Sequence, residues 1–586
     1  MITLQVILIV AIVIGIFALF ATEKLPVDLT ALFSILILLL TGLLTPVEAV
    51  SGFSNQATIT ILAMFILSEG IKKSGFIYLI SENILKFTTT LTKQLLAIPV
   101  ISLIGAFINN TASMTILAPM IMDISAKTKS YATQLLIPVS YLSMAAGTLT
   151  LIGTSTNLLV NDIYVRHGFE PIGLFEITKM GIFVFLIVSI YFLTIGRHLL
   201  PKHKGNADVS DPYQRMSFNT DVVLPIKSQL LGKSIKHSGL LEAGIKIISI
   251  KRKGRIYKKN LNHKKLLKDD ELAIFGTRMN IFKAIEQKLI KFKSTTTRPD
   301  ATKEYMTDQL MIASGSSLIG QNIGSIVFTR RFDATLLGIK RGTRALQTDI
   351  RSVNLKFGDI LLIKSKPETL EAMKLSDDFV YIGESSGPYR TEKMKVALGI
   401  MLLVILLAAF NIFPIMTAAI LGVILMALTK VINLQEGYRA VNWQIIFLLA
   451  GVIPLGIALE KTGTIQLIAD FIVNIAGFMP PILLLGVFYL ITTLLTEIIS
   501  NNAAAIILAP IALTISAELG LNPFAFIVVL MFAASTSYMT PIGYQTNTLV
   551  YSIGNYKFTD FTKVGAPLNL ILMVSTTLLT VWIWGL

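Results

Sequence analysis

The stretch ITTLLTEIISNNAAAIILAP, residues 491–510, carries the polar knot Ser500-Asn501-Asn502-Ala503-Ala504 inside an otherwise apolar run. Far upstream, LIGAFINNTASMTILAP (residues 103–119) repeats the arrangement with Asn109-Asn110-Thr111-Ala112, and both knots lead into Ile-Leu-Ala-Pro. Apolar surroundings of this length are membrane, and polar groups at that depth need a functional reason. One such interruption in each half of a chain points to a midplane binding site in a secondary transporter.

Outward from the knots the chain duplicates itself. A backbone break in the bilayer is tolerated only where it is buried in protein or lines a wet cavity, so 95–126 and 481–517 read as re-entrant hairpins with the knots at their tips. Each is followed by an interrupted helix, 131–165 and 523–552. Gly153, Thr156 and Asn157 map on Gly543, Thr546 and Asn547 at a constant offset of 390 residues. Phe175-Glu176-Ile177-Thr178-Lys179-Met180-Gly181 likewise matches Thr559-Asp560-Phe561-Thr562-Lys563-Val564-Gly565. Further spans are expected at 3–21, 27–44, 57–71 and 175–199, then at 393–411, 414–431, 441–459 and 562–585. The amphipathic stretches 76–93 and 463–478 read as interfacial helices. The two membrane repeats are therefore 1–200 and 390–586.

Between them the chain is charged and alternating, with no run able to cross a bilayer. This soluble α+β insert also repeats, at 88–89 residues: Ser228-Gln229-Leu230-Leu231-Gly232 answers to Ser317-Leu318-Ile319-Gly320, Ile247–Arg252 to Leu336–Arg341, and Leu267–Leu272 to Leu355–Ile360. A fixed period means two copies of one unit, here 205–298 and 299–385. Their pattern resembles the RCK-C (TrkA-C) domain, a small ligand-binding module attached to channels and transporters. The resemblance implies a nucleotide, cyclic dinucleotide or ion as effector.

Composition narrows the class. Hydrophobic residues make up 53% and mean hydropathy is +0.70, as in membrane proteins. The absence of cysteine excludes disulfides, thiolate metal sites and a Cys nucleophile. A net charge of +16 would suggest nucleic acid in a soluble chain, but no basic patch interleaved with aromatics appears, and no nucleic-acid partner is expected. The basic residues instead sort by side. With the N-terminus outside, the inner loops carry Lys24, Lys72, Lys73, Lys86, Lys93, Lys127, Lys129, Arg197, Lys393, Lys395, Lys430, Arg439, Lys557 and Lys563. Outer loops keep only Arg166 and Lys461, as the positive-inside rule requires. Residues 200–390 are then cytoplasmic. Five crossings per half invert the second repeat, so the hairpins enter from opposite sides. The N-terminal segment lacks a basic n-region and a cleavage site and reads as a retained span.

The knots suit an ion and an anion together. Helix N-termini offer free N–H groups and a partial positive charge, which hold an anion without arginine. Unwound carbonyls and Asn or Thr oxygens suit Na⁺. Asn110 and Asn501 can offer an oxygen to the cation and an N–H₂ to the anion, and bound Na⁺ lowers the cost of admitting a dianion.

The twin knots, with GTLTLIGTSTNLLV (147–160) and YMTPIGYQTNTLVYSIGNYKFTDF (538–561), are similar to the motifs of the divalent anion/sodium symporter family over essentially the whole chain. The resemblance implies two Na⁺ sites. The first would be Asn109, Asn110, Gly153 and Asn157, with Thr154 and Gly105. The second would be Thr496, Ser500, Asn501, Gly543 and Asn547, with the Met539 carbonyl. The substrate would touch Asn110, Thr111, Asn501, Asn502, Thr540 and Pro541. It further implies a sulfate or dicarboxylate substrate, a homodimer in the cell (inner) membrane and an elevator movement. Asn109 stands where the family has Ser, and Asn502 where it has Thr, which removes a hydroxyl from the anion pocket.

Plainer roles attach to the flanking acids. Glu497 and Asp123 are expected to cap or pair at helix ends, and Glu176 and Asp560 to open the last helix of each half. His198 and His203 belong to a solvated basic edge. No Ser/His/Asp set, phosphate loop or paired carboxylates stand out, so no enzyme is expected. Two rivals remain: a non-transporting nutrient sensor, and a Na⁺/H⁺ antiporter or arsenite-type permease, whose tips should carry buried carboxylates.

Overall fold

Apolar runs become helices here, and small polar residues fix where those helices begin. The computed structural model describes residues 4–586 apart from 23, 24, 26, 87, 89, 129, 203–216, 226, 227, 253, 254, 258, 259, 293–305, 313–315, 324–331, 342–351, 357, 375, 377, 382–389, 477, 478 and 555. The longer helices of the first half are α1 (Leu4–Thr22), α2 (Val27–Leu40), α3 (Gln56–Lys73), α4 (Phe76–Lys86), α5 (Leu91–Ser102), α6 (Asn110–Thr128), α7 (Leu136–Gly147), α8 (Ser155–Arg166) and α9 (Thr178–Leu193). Asn55 caps α3 by accepting the Ala57 N–H at 2.8 Å, and Thr90 caps α5 through Lys93. Such side-chain oxygens satisfy donors that the first helical turn leaves free.

The insert follows as β1 (Ser217–Val223), β2 (Lys246–Arg252), β3 (Arg255–Tyr257), β4 (Glu271–Thr277), α10 (Arg278–Glu286), β5 (Lys291–Phe292), β6 (Met306–Ile312), β7 (Ala334–Lys340), β8 (Ile360–Ser365), α11 (Pro367–Lys374) and β9 (Phe379–Tyr381). The strands form one sheet in the order β3-β2-β4-β1-β7-β8-β6-β9, with β5 on β1. Its side-chain bonds recur at a fixed spacing. Arg252 Nε and a terminal nitrogen fork onto Asp270 at 2.7 Å each, and the same guanidinium donates to the Lys265 carbonyl. At an offset of 89 residues, Arg341 forks onto Asp359 and donates to the Asn354 carbonyl. Both carboxylates also accept a main-chain N–H, from Leu267 and Lys356. Matching bulges fall at Ile247/Ser249 and Leu336/Gly338. In one detail the serines align differently from the sequence reading. Ser228 corresponds to Ser316, one residue before Ser317, because each accepts the N–H two residues on.

The second half repeats the first as α12 (Met394–Ala409), α13 (Ile415–Leu428), α14 (Trp443–Lys461), α15 (Thr464–Ala476), α16 (Pro481–Thr496), α17 (Asn501–Glu518), α18 (Pro523–Ser535), α19 (Gln545–Gly554) and α20 (Phe558–Trp584). Among the described residues α14, α17 and α20 are individually long and apolar enough to cross a membrane, and shorter apolar helices accompany them. Small residues let helices approach. A Cβ on Gly451 in α14 would lie 2.5 Å from the Ala31 carbonyl oxygen of α2, and Ser34 donates to the Gly451 carbonyl beside it. Without a solvent-driven force between apolar helices, such close contact and polar bonding carry association.

Several boundaries move from the sequence expectation. The interfacial helix expected over 76–93 ends at Lys86, because Thr90 caps a new helix at Leu91. The span expected over 175–199 is α9 plus a short turn of helix at Gly196–Leu199. The hairpin expected at 95–126 is longer, and its two ends meet: Gln94 donates to Thr128 Oγ1 at 2.9 Å. The chain thus returns to its starting end after turning at Phe107–Asn109. Much of the predicted boundary between the two insert copies lies outside the described residues, as do Lys24, Lys129 and His203.

Charge gathers at opposite ends of α3. At its start Asn55 donates to Asp162, which pairs with Arg166 at 2.9 Å. Past its end Arg390 forks onto Glu436 at 3.0 and 3.1 Å, near Lys73. The insert meets the helical body through Phe218, Met311, Leu337, Ile360 and Leu362, which join its apolar core. It also touches α19 directly, where a Cβ on Gly358 would strike Ser552 Oγ.

Candidate functional site

Two helix pairs with broken ends meet at the centre of the helical body. The hairpin tips are capped alike: Asn109 accepts the Thr111 N–H at 2.8 Å, and Ser500 accepts the Ala503 N–H at 3.3 Å. The interrupted helices are also held alike. Asn157 Nδ2 donates to the Thr150 carbonyl at 3.2 Å and Asn547 Nδ2 to the Thr540 carbonyl at 3.3 Å, positions 390 residues apart. The last helix of each half then crosses the unwound segment through a glycine. Gly181 leaves room for the Thr148 carbonyl and Gly565 for the Tyr538 carbonyl. Thr178 bonds to Leu149 and Thr562 to Met539 beside them.

Each tip is completed by the other half. Thr111 Oγ1 donates to Gln545 Oε1 at 3.2 Å, and its counterpart Asn502 accepts Ser155 Oγ at 3.0 Å. Gln545 and Ser155 are themselves counterparts, so the contacts are reciprocal, the signature of a two-fold relation between like units. Asn110 Nδ2 adds a bond to Tyr544 Oη at 3.2 Å. Thr156 Oγ1 adds one to Asn502 at 3.2 Å. The N-termini of α6, α8, α17 and α19 therefore converge. Their free N–H groups and dipoles make a positive region with no basic side chain bonded into it among the described residues.

Beside that region lies a nest of oxygens. Asn110 is 3% exposed, and its Oδ1 is buried without a hydrogen-bond partner among the described residues. A Cβ on Gly105 would lie 3.0 Å from this atom and 3.0 Å from the Ser143 carbonyl oxygen. A Cβ on Gly147 would meet Asn110 Nδ2 at 2.7 Å, the same Oδ1 at 3.2 Å and the Gly153 carbonyl at 3.3 Å, and one on Gly153 would strike the Gly147 carbonyl and meet the Ala106 carbonyl at 2.9 Å. Asn157 Oδ1 is also buried and unpartnered among the described residues. Three glycines thus let the main chain pack closely against carbonyl oxygens and the Asn110 amide, whose Oδ1 is orphaned. Buried polar atoms are nearly always satisfied, and oxygens without donors suit a hard cation.

The matching nest in the second half is more self-contained. Thr496 Oγ1 donates to Asn501 Oδ1 at 2.7 Å, Ser537 Oγ to the Thr496 carbonyl at 3.2 Å, and Ser140 Oγ to Asn547 Oδ1 at 2.8 Å. Where the first half has Ala106, the second has Glu497, 5% exposed. Its two carboxylate oxygens accept the Met539 and Thr540 N–H groups at 2.7 and 2.9 Å. A Cβ on Gly543 would lie 2.8 Å from this carboxylate.

Of the residues singled out from sequence, Asn110, Thr111, Asn501, Asn502, Gly153, Asn157, Thr496, Gly543 and Asn547 lie in this central assembly. Asn109, Ser500 and Thr154 act as helix caps with their side-chain oxygens. Thr540 Oγ1 accepts the Gly543 N–H and reaches the Glu497 carbonyl, and the Pro541 carbonyl accepts Thr548 Oγ1, so both shape the unwound loop. Glu497 caps that loop, and Asp560 and Glu176 accept the N–H of the third residue before them, Lys557 and Gly173. The Asp123 side chain lies outside the described residues. Tyr544, Gln545, Ser155 and Thr156 were not read from sequence as site residues. Their signal was present in the 390-residue repeat, which sets Ser155 and Gln545 at equivalent helix starts.

Compared with known proteins, the chain matches the family described as citrate transporter over residues 17–530 and 503–585. It is 36% identical over 596 residues to an uncharacterized transporter of Synechocystis sp., covering 99% of this chain and 97% of the relative. A putative sulfur deprivation response regulator of Chlamydomonas reinhardtii is 24% identical over 559 residues, 92% of this chain and 95% of the relative. Sodium/sulfate cotransporter 1 of the same alga is 29% identical over 277 residues, 45% of this chain and 31% of the relative.

Proposed function

The chain belongs to the citrate transporter family, and from that premise we propose that this multi-pass membrane transporter of a small anion is a Na⁺-coupled symporter of a divalent one. The guest is sulfate or a C4-dicarboxylate. The observation that carries this reading is the pairing of two chemistries at Asn110: its Nδ2 bonds Tyr544 where helix N-termini converge, and its buried Oδ1 lacks a partner among the described residues and lies near Gly105 and the Ser143 carbonyl. The first favours an anion and the second a small cation. Among the described residues neither receives a full opposite charge from the protein, so each guest lowers the cost of admitting the other. The named sodium/sulfate relative supports this choice of pair.

In this reading Asn109, Asn110, Gly153, Thr154 and Asn157 frame one Na⁺ site and Thr496, Ser500, Asn501, Gly543 and Asn547 the other. Asn110, Thr111, Asn501, Asn502, Thr540 and Pro541 face the anion. The cross-half reciprocity supports an inverted repeat with re-entrant hairpins. The charge split along α3 supports an exterior N-terminus and a cytoplasmic insert. The resemblance adds a homodimer moving by an elevator mechanism. The insert, read as two RCK-C domains, would tune transport through its contact with Ser552 on α19, the helix that carries Gln545 and Asn547.

Glu497 is the buried carboxylate an antiporter would want, but both its oxygens are engaged by main-chain N–H groups of the unwound loop. A cap of that kind favours symport. A relative whose name supports a different reading is the putative sulfur deprivation response regulator, which favours a sensor. Uptake of labelled sulfate, thiosulfate, succinate, malate and citrate into proteoliposomes, each with and without a Na⁺ gradient, separates them. Sodium-dependent accumulation of a dianion is expected. Binding without accumulation would establish the sensor and sink the symporter.

A further inference from the structure

At the end of α8 remote from the hairpin tips, polar side chains tie that helix to two others. The Asn55 amide is oriented by its own helix start, where Oδ1 accepts the Ala57 N–H, and its Nδ2 reaches across to Asp162 Oδ2 at 2.8 Å. His167 closes α8, its main-chain N–H bonded to the Ile163 and Tyr164 carbonyls. Its ring lies between two acceptors. Nδ1 is 2.8 Å from the Ile163 carbonyl, and Nε2 is 3.2 Å from Glu460 Oε1 in the last turn of α14. A neutral imidazole has one N–H and leaves one of these oxygens facing a lone pair, whereas the imidazolium satisfies both. The C-terminal end of α8 favours the same cation. Each side of this junction is also bonded within itself. Arg166 pairs with Asp162 on α8, and Asn161 holds the following loop by accepting the Ile172 N–H. Opposite them Lys461 pairs with Glu48, whose carboxylate accepts the Thr45 N–H.

We propose that the Asn55–Asp162 and His167–Glu460 bonds form a latch on the outer face, opened in each transport cycle and held shut by protonation of His167. The inference rests on the transport reading and orientation given above and deepens them. The first turn of α8 carries Ser155 and Thr156, which bond Asn502 at the hairpin tip, and the last turn carries the latch. Its 12 residues span about 18 Å, and a stiff rod of that length carries a displacement from one end to the other. α8 packs along α17 of the second hairpin on one side and along α3 on another. Exposing the guest to alternate faces shifts the hairpin tips against α3 and α14, and the two bonds that cross this line must then part. Among the described residues the charged groups facing the imidazole are Glu460 from α14 and Arg166 on α8, while Lys461 is engaged by Glu48. Glu460, outweighing partial burial, raises the imidazole above its ordinary value. Closing the latch therefore takes up a proton, so external acid favours the closed form and alkali releases it.

The chain has no cysteine, so a thiol pair can be introduced without background. Full-length protein carrying His167→Cys with Glu460→Cys is bridged by a short reducible bis-thiosulfonate, then reconstituted with a Na⁺ gradient and labelled sulfate or succinate. Bridging should arrest uptake and reductant should restore it, while either single variant treated alike is unaffected. Undiminished uptake by the bridged protein, or thiols that the reagent cannot join, would overturn the latch and leave the transport reading standing. Control by acid is read from His167→Gln, which still donates to Glu460 but does not titrate. Its uptake rate divided by that of the wild type should be about two- to fivefold in external acid, the scale of an exposed charge pair, and close to unity in alkali. The readout is the change of this ratio with pH, so expression level and titration of the substrate cancel. A ratio flat across pH would overturn the role of His167. No uptake of either dianion by the untreated wild type would remove the transport reading and the latch together.

Discussion

Replacing Asn110 by Asp exchanges one N–H₂ for an oxygen and leaves the shape of the side chain unchanged, so it tests the two-sided role assigned to this residue. The oxygen facing Gly105 and the Ser143 carbonyl stays in place, and the donor to Tyr544 is lost. With the guest at about 6 Å and an effective dielectric constant of about 20, the added charge repels it by about 2.8 kcal/mol per unit of charge. For a dianion that is roughly 5–6 kcal/mol, and the missing hydrogen bond adds about 1 kcal/mol. Even if half is screened, anion affinity should fall at least about a hundredfold, since each 1.4 kcal/mol is tenfold. The same charge attracts a cation in the neighbouring nest. The purified variant should therefore bind Na⁺ at least as tightly as the wild type, measured as Na⁺-dependent thermal protection, while Na⁺-driven uptake in proteoliposomes is abolished. Uptake within tenfold of wild type, or weaker Na⁺ protection, would refute the assignment.

Other perturbations test separate parts of the molecule. Arg341→Ala leaves Asp359 buried without its fork, which should destabilise the insert by about 3–5 kcal/mol; Arg252→Ala should act alike on Asp270, and limited proteolysis of the insert reads both. His167 bonds Glu460 at 3.2 Å, and that bond, outweighing partial burial, raises the imidazole above its ordinary value. A raised basic group stabilises fully below its unfolded value, about 6.5, and the gain vanishes as pH climbs through the folded value. A difference in melting temperature between wild type and His167→Gln, amounting to no more than about 1 kcal/mol for so open a pair, should be present at acidic pH and gone in alkali. Gly358 has φ +79° and faces Ser552. Gly358→Val should strain the insert's turn by about 1–2 kcal/mol and change the transport rate while leaving Na⁺ protection intact. An unchanged rate would argue against coupling through this contact.

Much of this architecture was legible because membrane insertion makes polarity conspicuous. Asn110 and Asn501 stand out in apolar runs, and their repeat locates both tips to within two residues of the observed breaks. The 88–89-residue period marks stretches of the insert whose bonds recur, though the choice between Ser316 and Ser317 needed the main-chain bonds. The cross-half contacts were harder to see. Nothing local to Thr111 says that it meets Gln545, since that depends on how two helix pairs separated by more than 400 residues dock on each other. The role of Glu497 was only half visible: its capping function could be expected beside a break, but the loop it caps lies at Met539 and Thr540, on another element. Asn109, Ser500 and Thr154 show another limit. Oxygen-bearing side chains at helix starts read as ligands in sequence, and only the fold adds that they also cap their own helices.

The reciprocal tip contacts also bear on biogenesis. A nascent first half emerging from the ribosome would present Thr111 and Asn110 before Gln545 and Tyr544 exist, and the whole insert must be synthesised in between. Until the C-terminal half arrives, these groups would have to be sheltered by water or an insertase instead of lipid. Expressed as two separate polypeptides, the halves should each be retained poorly and rescue one another when made together.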